Sequence, residues 1–256
     1  MATELPENNF ERYGQYYDVL YQDKDYNRES DYVLSLLRRM GVAKGKIIEF
    51  GCGTGRHGRR IAEEGYEVVG IDRSLQMIER ARLQDPLPNF TCEVGDICGF
   101  DAGRSFDAVL ALFHVVSYQT SNEDLVATFR NARRHLKPGG IFLFDVWYAP
   151  AVCAVGPSHR IKTVDREFLT IKRAANPVWN VNDNRIDVHY HISVKNKSSG
   201  ELDEFDEVHP MRYFSLPELD IVAKLTGFRR RAAEEFLTGV TPSLSTWNVC
   251  IIVSAV

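Results

Sequence analysis

The sequence predicts an α/β fold, a doubly wound seven-stranded sheet carrying an antiparallel β insertion, and three observations predict it. From Lys46 to Val146 short apolar runs alternate with amphipathic segments, as in a mainly parallel sheet joined by right-handed crossovers. The first run, Ile47-Ile48, ends at Glu49 and enters Gly51, Gly53 and Gly55, which reads as strand, tight turn and helix start. Residues 160–214 then break the alternation. Stretches near Thr163–Arg173, Arg185–Val194 and Glu204–Phe214 read as antiparallel strands, separated by the turn-rich NPVWNVNDN and KNKSSG. A helix over Leu216–Leu225, stopped at Gly227, and two strands near Arg229–Phe236 and Trp247–Val253 complete a Rossmann-like sheet.

A chain of 256 residues is long enough for one such domain with its insertion. The expected organisation is a single domain over 1–256, with helices over 1–42 preceding the glycine turn and the insertion over 160–214. A net charge of −4 argues against a polyanionic partner such as nucleic acid. The five cysteines, Cys52, Cys92, Cys98, Cys153 and Cys250, form no Cys-x-x-Cys pair, which speaks for reduced thiols and against zinc. No apolar run approaches the ~20 residues that span a bilayer, and the N-terminus lacks a signal-peptide layout. A cytoplasmic protein without a membrane partner is expected, with a homodimer left open.

Taken in order, residues 10–40 hold six of the eleven tyrosines. Phe10, Tyr13, Tyr17, Leu20 and Tyr21 recur at helical spacing and give one aromatic helix face; Tyr32, Val33, Leu36 and Leu37 form a second helix closed by Gly41. After the glycine turn a helix closes at Gly65. A second strand, Glu67–Ile71, ends at Asp72, and Ser74 caps the helix that carries Met77, Ile78 and Ala81. A third strand, Phe90–Val94, ends at Gly95-Asp96-Ile97. The fourth, Phe106–Leu112, delivers Phe113, His114, Ser117 and Tyr118 to the same sheet edge, where ligands of such sheets sit. A helix over Asn122–Leu136 is stopped by Lys137-Pro138-Gly139-Gly140, and the fifth strand is Ile141–Val146.

The glycine turn departs from a dinucleotide fingerprint, because Arg56 stands where the third glycine belongs, and no Gly-Lys-Ser/Thr follows to make a P-loop. Glu49-x-Gly51-x-Gly53-x-Gly55 resembles motif I of the class I S-adenosylmethionine-dependent methyltransferases. Asp72, about 20 residues past the first glycine, stands where an acid accepts hydrogen bonds from both ribose hydroxyls. Taken alone it also reads as a helix N-cap. The resemblance implies that Asp96 and Ile97 meet the adenine. It implies further that Tyr13, Tyr21, Glu49, Gly51, Cys52, Gly53, Arg73, Met77 and Leu112 belong to the cofactor site, with the N-terminal helices as a lid. The tyrosine-rich start and the insertion resemble one branch in particular, the N-methyltransferases of nucleotide-linked deoxyaminosugars. Those enzymes tend to carry a His a few residues after the fourth strand, where this chain has Tyr118.

Methyl transfer from a sulfonium asks mainly for proximity, exclusion of water and a deprotonated nucleophile. Tyr17, His114 and Tyr118 are the candidate bases or orienting groups, each equally readable as packing or cofactor lining. His189 and His191 share a strand face but lack a third ligand, so no metal is expected; Arg229-Arg230-Arg231 reads as a solvated strand or a phosphate contact. No Asp/Asn/Ser-Pro-Pro-aromatic run follows the fourth strand and no Pro-Cys occurs, which argues against DNA bases as acceptors. The expected activity is N-methylation of an amino group on a nucleotide-linked sugar. O-methylation of a small metabolite, or a non-catalytic module binding the same cofactor, are the other readings.

Overall fold

A computed structural model describes residues 12–256. Phe10, which the helical spacing placed on the aromatic face, lies outside them. The aromatic segment is a 3-10 turn, Tyr13–Tyr16, running into one short helix, α1 (Tyr17–Leu20). Next comes α2 (Tyr26–Arg39), whose N-terminus is capped by the Asp25 carboxylate accepting from the Arg28 N–H.

Strand and helix then alternate: β1 (Lys46–Phe50), α3 (Arg56–Glu63), β2 (Glu67–Asp72), α4 (Leu75–Arg82), β3 (Phe90–Val94) and β4 (Phe106–Ala111). A 3-10 turn over Val115–Tyr118 precedes α5 (Asn122–His135) and β5 (Leu136–Tyr148). The expected stop at Lys137–Gly140 is absent as a loop. The register slips between the pairs Phe106↔Leu136 and Ala108↔Ile141, so these residues form an irregular start to β5.

After α6 (Ala149–Val155), which the sequence did not signal, the insertion holds β6 (Arg160–Asp165), β7 (Leu169–Asn180), β8 (Arg185–Asn196) and β9 (Leu202–Phe214). Four strands replace the three expected, because Thr163–Arg173 folds back on itself at residues 166–168. NPVWN extends β7: Pro177 lies past the end of β6, where β8 is the strand it pairs with, so β7 has an edge there that tolerates a proline. Finally α7 (Leu216–Leu225), β10 (Phe228–Glu235) and β11 (Asn248–Ala255) close the chain's fold.

The seven core strands run in the order β3-β2-β1-β4-β5-β11-β10. All pairs from β3 to β5 are parallel and both pairs of β11 are antiparallel. β5 forks at its carboxyl end, where Trp147↔Tyr213 and Tyr148↔Phe214 join it in parallel to β9 and so to the insertion. Both sheet faces are covered. Ile48, Phe50, Phe142 and Phe144 pack under α5 and α7 with Phe129 and Phe228, while Ile47, Val68, Leu110 and Leu143 pack under α2 and α3 with Val33, Leu37 and Ile61. Each such side chain contributes roughly 1.5–3 kcal/mol by leaving water, and together they fix the strand tips against which the site is built.

Candidate active site

The carboxyl ends of the parallel strands open on a cavity of about 550 Å³. Its floor is the turn after β1, with Gly51, Gly53 and Gly55 at φ of 65°, 54° and 77°. A Cβ added at Gly53 would meet nothing within 4 Å, so the bare backbone there is open to a ligand. Asp72 ties this turn to the tip of β2. Its Oδ2 accepts from the Gly53 N–H at 2.9 Å and its Oδ1 from the Ser74 N–H at 2.8 Å. The cap of α4 is Ser74, whose Oγ accepts from the Met77 N–H, and Asp72 faces the cavity. Burial raises the Asp72 carboxyl above its ordinary range despite the two N–H donors. Asp96, at the tip of β3, is exposed along the same rim and accepts from the Cys98 N–H at 2.8 Å.

Of the residues marked in the sequence, Tyr13, Tyr17, Tyr21, Gly51, Cys52, Gly53, Asp72, Arg73, Met77, Asp96, Ile97, Leu112, His114 and Tyr118 all line this cavity. Glu49 does not. Its side chain points beneath the turn into the packing of α3, where its Oε1 lies 4.0 Å from His57 Nδ1. Burial pushes its carboxyl up to about 8, the nearby Asp72 charge working the same way. Gly58 is required there: a Cβ would stand 2.5 Å from Glu49 Oε2.

On the opposite wall the aromatic segment meets the insertion. Arg173 of β7 donates to the Tyr13 hydroxyl at 2.6 Å and the Tyr21 hydroxyl at 3.0 Å, with its guanidinium 4.7 Å from the centre of the Tyr190 ring. Tyr21 in turn packs edge-on against Phe113. At the end of β4, Phe113 and His114 both adopt φ of 65°, a left-handed pair unusual for non-glycine residues. Asp145 of β5, fully buried, holds His114 by its backbone N–H and sits against its ring. Tyr118 bonds instead to His209 of β9, hydroxyl to Nδ1, at 2.9 Å.

The sequence reading missed several residues here: Tyr190, His209 and Met211 on the insertion strands, Arg160 at the start of β6, and Trp147 and Trp247 beside the fork. Only the insertion's alternation pointed toward them, and it could not say which face turns inward.

Residues 47–140 match the methyltransferase domain family. The dTDP-3-amino-3,4,6-trideoxy-alpha-D-glucopyranose N,N-dimethyltransferase of Streptomyces venezuelae is 29% identical over 83% of this chain and 88% of its own length. The dTDP-3-amino-3,6-dideoxy-alpha-D-glucopyranose N,N-dimethyltransferase of Streptomyces fradiae is 25% identical over 93% and 91%. Among solved structures, Streptomyces venezuelae DesVI superimposes with a TM-score of 0.78 at 26% identity, covering 93% of this chain and 97% of that one.

Residues 47–140 thus form a methyltransferase domain, and the chain is an S-adenosylmethionine-dependent methyltransferase. The sugar N-methyltransferase from Streptoalloteichus sp. shares the fold of this methyltransferase with a TM-score of 0.81 over 98% and 97% of the two chains, at 20% identity. The antiparallel insertion is thus part of the shared fold. Among the described residues, no helix of the methyltransferase is long and apolar enough to cross a membrane.

Proposed function

We propose that this methyltransferase methylates an amino group on a nucleotide-linked sugar. The observation that carries the reading is the single cavity running from the Gly53 turn and the Asp72 and Asp96 tips to the aromatic face of the insertion, Tyr190, His209 and Met211. One space thereby serves cofactor and acceptor. The aminosugar acceptors named for the relatives at 29% and 25% identity support the amine class.

The donor and acceptor groups fit S-adenosylmethionine. The open backbone at Gly53 admits a ligand against the turn, the Asp72 carboxylate would accept from the ribose hydroxyls, and Asp96 with Ile97 would meet the adenine. Tyr13, Tyr21, Gly51, Cys52, Arg73, Met77 and Leu112 complete that wall. Glu49 acts from beneath, by shaping the turn. When bound, the cofactor supplies an electrophilic methyl group; this chain's residues orient the acceptor, exclude water and keep the amine unprotonated. Tyr17, His114 and Tyr118 line the same cavity, and in this reading they face the acceptor.

The reading treats 1–256 as one domain, with 1–42 as a lid and 160–214 as the acceptor-binding insertion. It places the enzyme in the reducing cytoplasm, in keeping with five unpaired thiols, and allows for a homodimer, which sedimentation would detect. The direct test is turnover of dTDP-3-amino-3,4,6-trideoxy-α-D-glucopyranose beside its 3-hydroxy counterpart. Methylation of the amine alone is expected. Methylation of the hydroxyl alone would replace this reading with an O-methyltransferase, and cofactor binding without turnover of any acceptor with a non-catalytic module.

A further inference from the structure

His209 is 2% exposed and still borders the cavity. On one side its Nδ1 lies 2.9 Å from the Tyr118 hydroxyl, delivered by the turn after β4. On the other its Nε2 lies 3.3 Å from Glu207 Oε2, two residues earlier on the same face of β9. Glu207 is itself held in place, its Oε1 accepting from the Tyr13 backbone N–H at 2.8 Å. The imidazole packs tilted against Tyr190, ring centres 4.7 Å apart. Two protein segments 91 residues apart in sequence therefore build one continuous line of hydroxyl, imidazole and carboxylate ending at the cavity wall.

The tautomer follows from the partners. A carboxylate beside Nε2 calls for the proton on that nitrogen, which leaves Nδ1 to accept from the phenol. Burial lowers the His209 pKa, so the ring rests neutral, and the Glu207 carboxylate works the other way, favouring the protonated form. Burial raises the Tyr118 phenol well above its ordinary value. Tyr118 alone is thus a poor base, and it needs an acceptor for its proton.

Resting on the amine reading above, we infer that Tyr118, His209 and Glu207 form a proton relay that takes the acceptor's ammonium to the neutral amine. The ammonium N–H bond breaks as an O–H bond forms at Tyr118, and the original Tyr118 O–H breaks as an N–H forms at His209 Nδ1. The electron pair stays on the amine nitrogen for attack on the methyl group. The product imidazolium sits against the Glu207 carboxylate until its proton leaves to solvent. A phenol that donates at one side of its oxygen accepts at the other, so Tyr118 never becomes a free phenolate. In this scheme Tyr118 is the catalytic residue and His209 and Glu207 are positioning residues acting through it. His114, whose Nδ1 pairs with the buried Asp145, stands outside this line.

The test compares wild type with Tyr118→Phe, His209→Asn, Glu207→Gln and the Tyr118→Phe/His209→Asn double variant. Turnover of dTDP-3-amino-3,4,6-trideoxy-α-D-glucopyranose is followed from pH 6 to 9, and cofactor binding by calorimetry reports folding. The groups facing His209 are Tyr118, Glu207, Tyr190, Tyr13, Arg173 and Arg73; none but Tyr118, His209 and Glu207 is altered. Each of the three single variants should lower kcat at pH 7, Tyr118→Phe and His209→Asn on the order of 10²-fold, with cofactor affinity kept within about twofold. The double variant should be no worse than the poorer single one, as expected for groups acting as a unit. The loss should shrink as pH passes the pKa of the free amine, since a neutral acceptor needs no relay. Full turnover in Tyr118→Phe and His209→Asn, additive losses, or a loss independent of pH would overturn the relay while leaving the amine reading intact. A wild type that ignores the amine and methylates the 3-hydroxy counterpart would overturn both.

Discussion

His114 Nδ1 lies 2.8 Å from Asp145 Oδ2, and the His114 backbone N–H lies 3.2 Å from each oxygen of the same carboxylate. One buried group on β5 thus holds the left-handed turn at the end of β4. Backbone conformations of this kind cost about 1–3 kcal/mol each, so the turn persists because Asp145 over-determines it. His114 is thereby fixed at the cavity wall.

Asp145→Asn should therefore destabilise the fold by about 2–4 kcal/mol and loosen the wall beside the acceptor. Burial works to raise the Asp145 carboxyl, but the charge and hydrogen bonds of His114 outweigh it, and the folded pKa falls below the ordinary carboxylate value. A depressed folded pKa means stability present above the unfolded value, about 3.9, and lost as pH falls through the folded one. Urea titrations of both proteins should show a gap that is constant from pH 5 to 6 and closes below pH 4.

Glu49 has the opposite sign. Its folded pKa, about 8, stands above the unfolded value of 4.5. The protonated form's contribution is fully present below pH 4.5 and is lost as pH rises through 8. Glu49→Gln should flatten that dependence and, without cofactor, stabilise the protein at pH 9 by on the order of a few kcal/mol. Thermal midpoints at pH 5 and pH 9 check it; parallel pH profiles for the two proteins would contradict it.

Asp72→Ala is expected to weaken S-adenosylmethionine binding by ~1–3 kcal/mol, about tenfold or more, because ribose hydroxyls lose their acceptor. It also releases the Gly53 N–H. Calorimetry giving an unchanged affinity would remove Asp72 from the cofactor site.

Arg173→Met should free the Tyr13 and Tyr21 hydroxyls from the insertion while keeping most of the side-chain volume. Amide exchange over Tyr13–Leu20 is expected to quicken about tenfold, equivalent to about 1.4 kcal/mol. Unchanged exchange there would show that ring packing alone holds the segment.

The parallel half of the fold and the cofactor side of the cavity were legible because they are local. Each strand ends in a short run whose tip residue can be counted from the glycine turn, and β3 matches its expected bounds to the residue. Glu49 was placed correctly on its strand but not by direction, since period-two alternation does not say which neighbour fills the space above it. The acceptor side depends on distant pairings. His209 meets Tyr118 across 91 residues and Arg173 meets Tyr13 across 160, and nothing near either residue in sequence marks the encounter. The extra strand β6 went unseen because its turn at residues 166–168 lacks Gly and Pro.

The seam between core and insertion is narrow. β5 and β9 share two parallel residue pairs, Trp147↔Tyr213 and Tyr148↔Phe214, and side-chain contacts such as Tyr118 to His209 and Arg173 to Tyr13 tie the insertion to the cavity beside that junction. In the proposed reading the insertion's share of the acceptor wall, Tyr190, His209 and Met211, is carried on a piece of chain apart from the glycine turn. A designer seeking a new acceptor can treat β6–β9 as an exchangeable cassette, keeping the two-pair splice and the phenol contacts of Arg173, while the glycine turn and its acids go untouched.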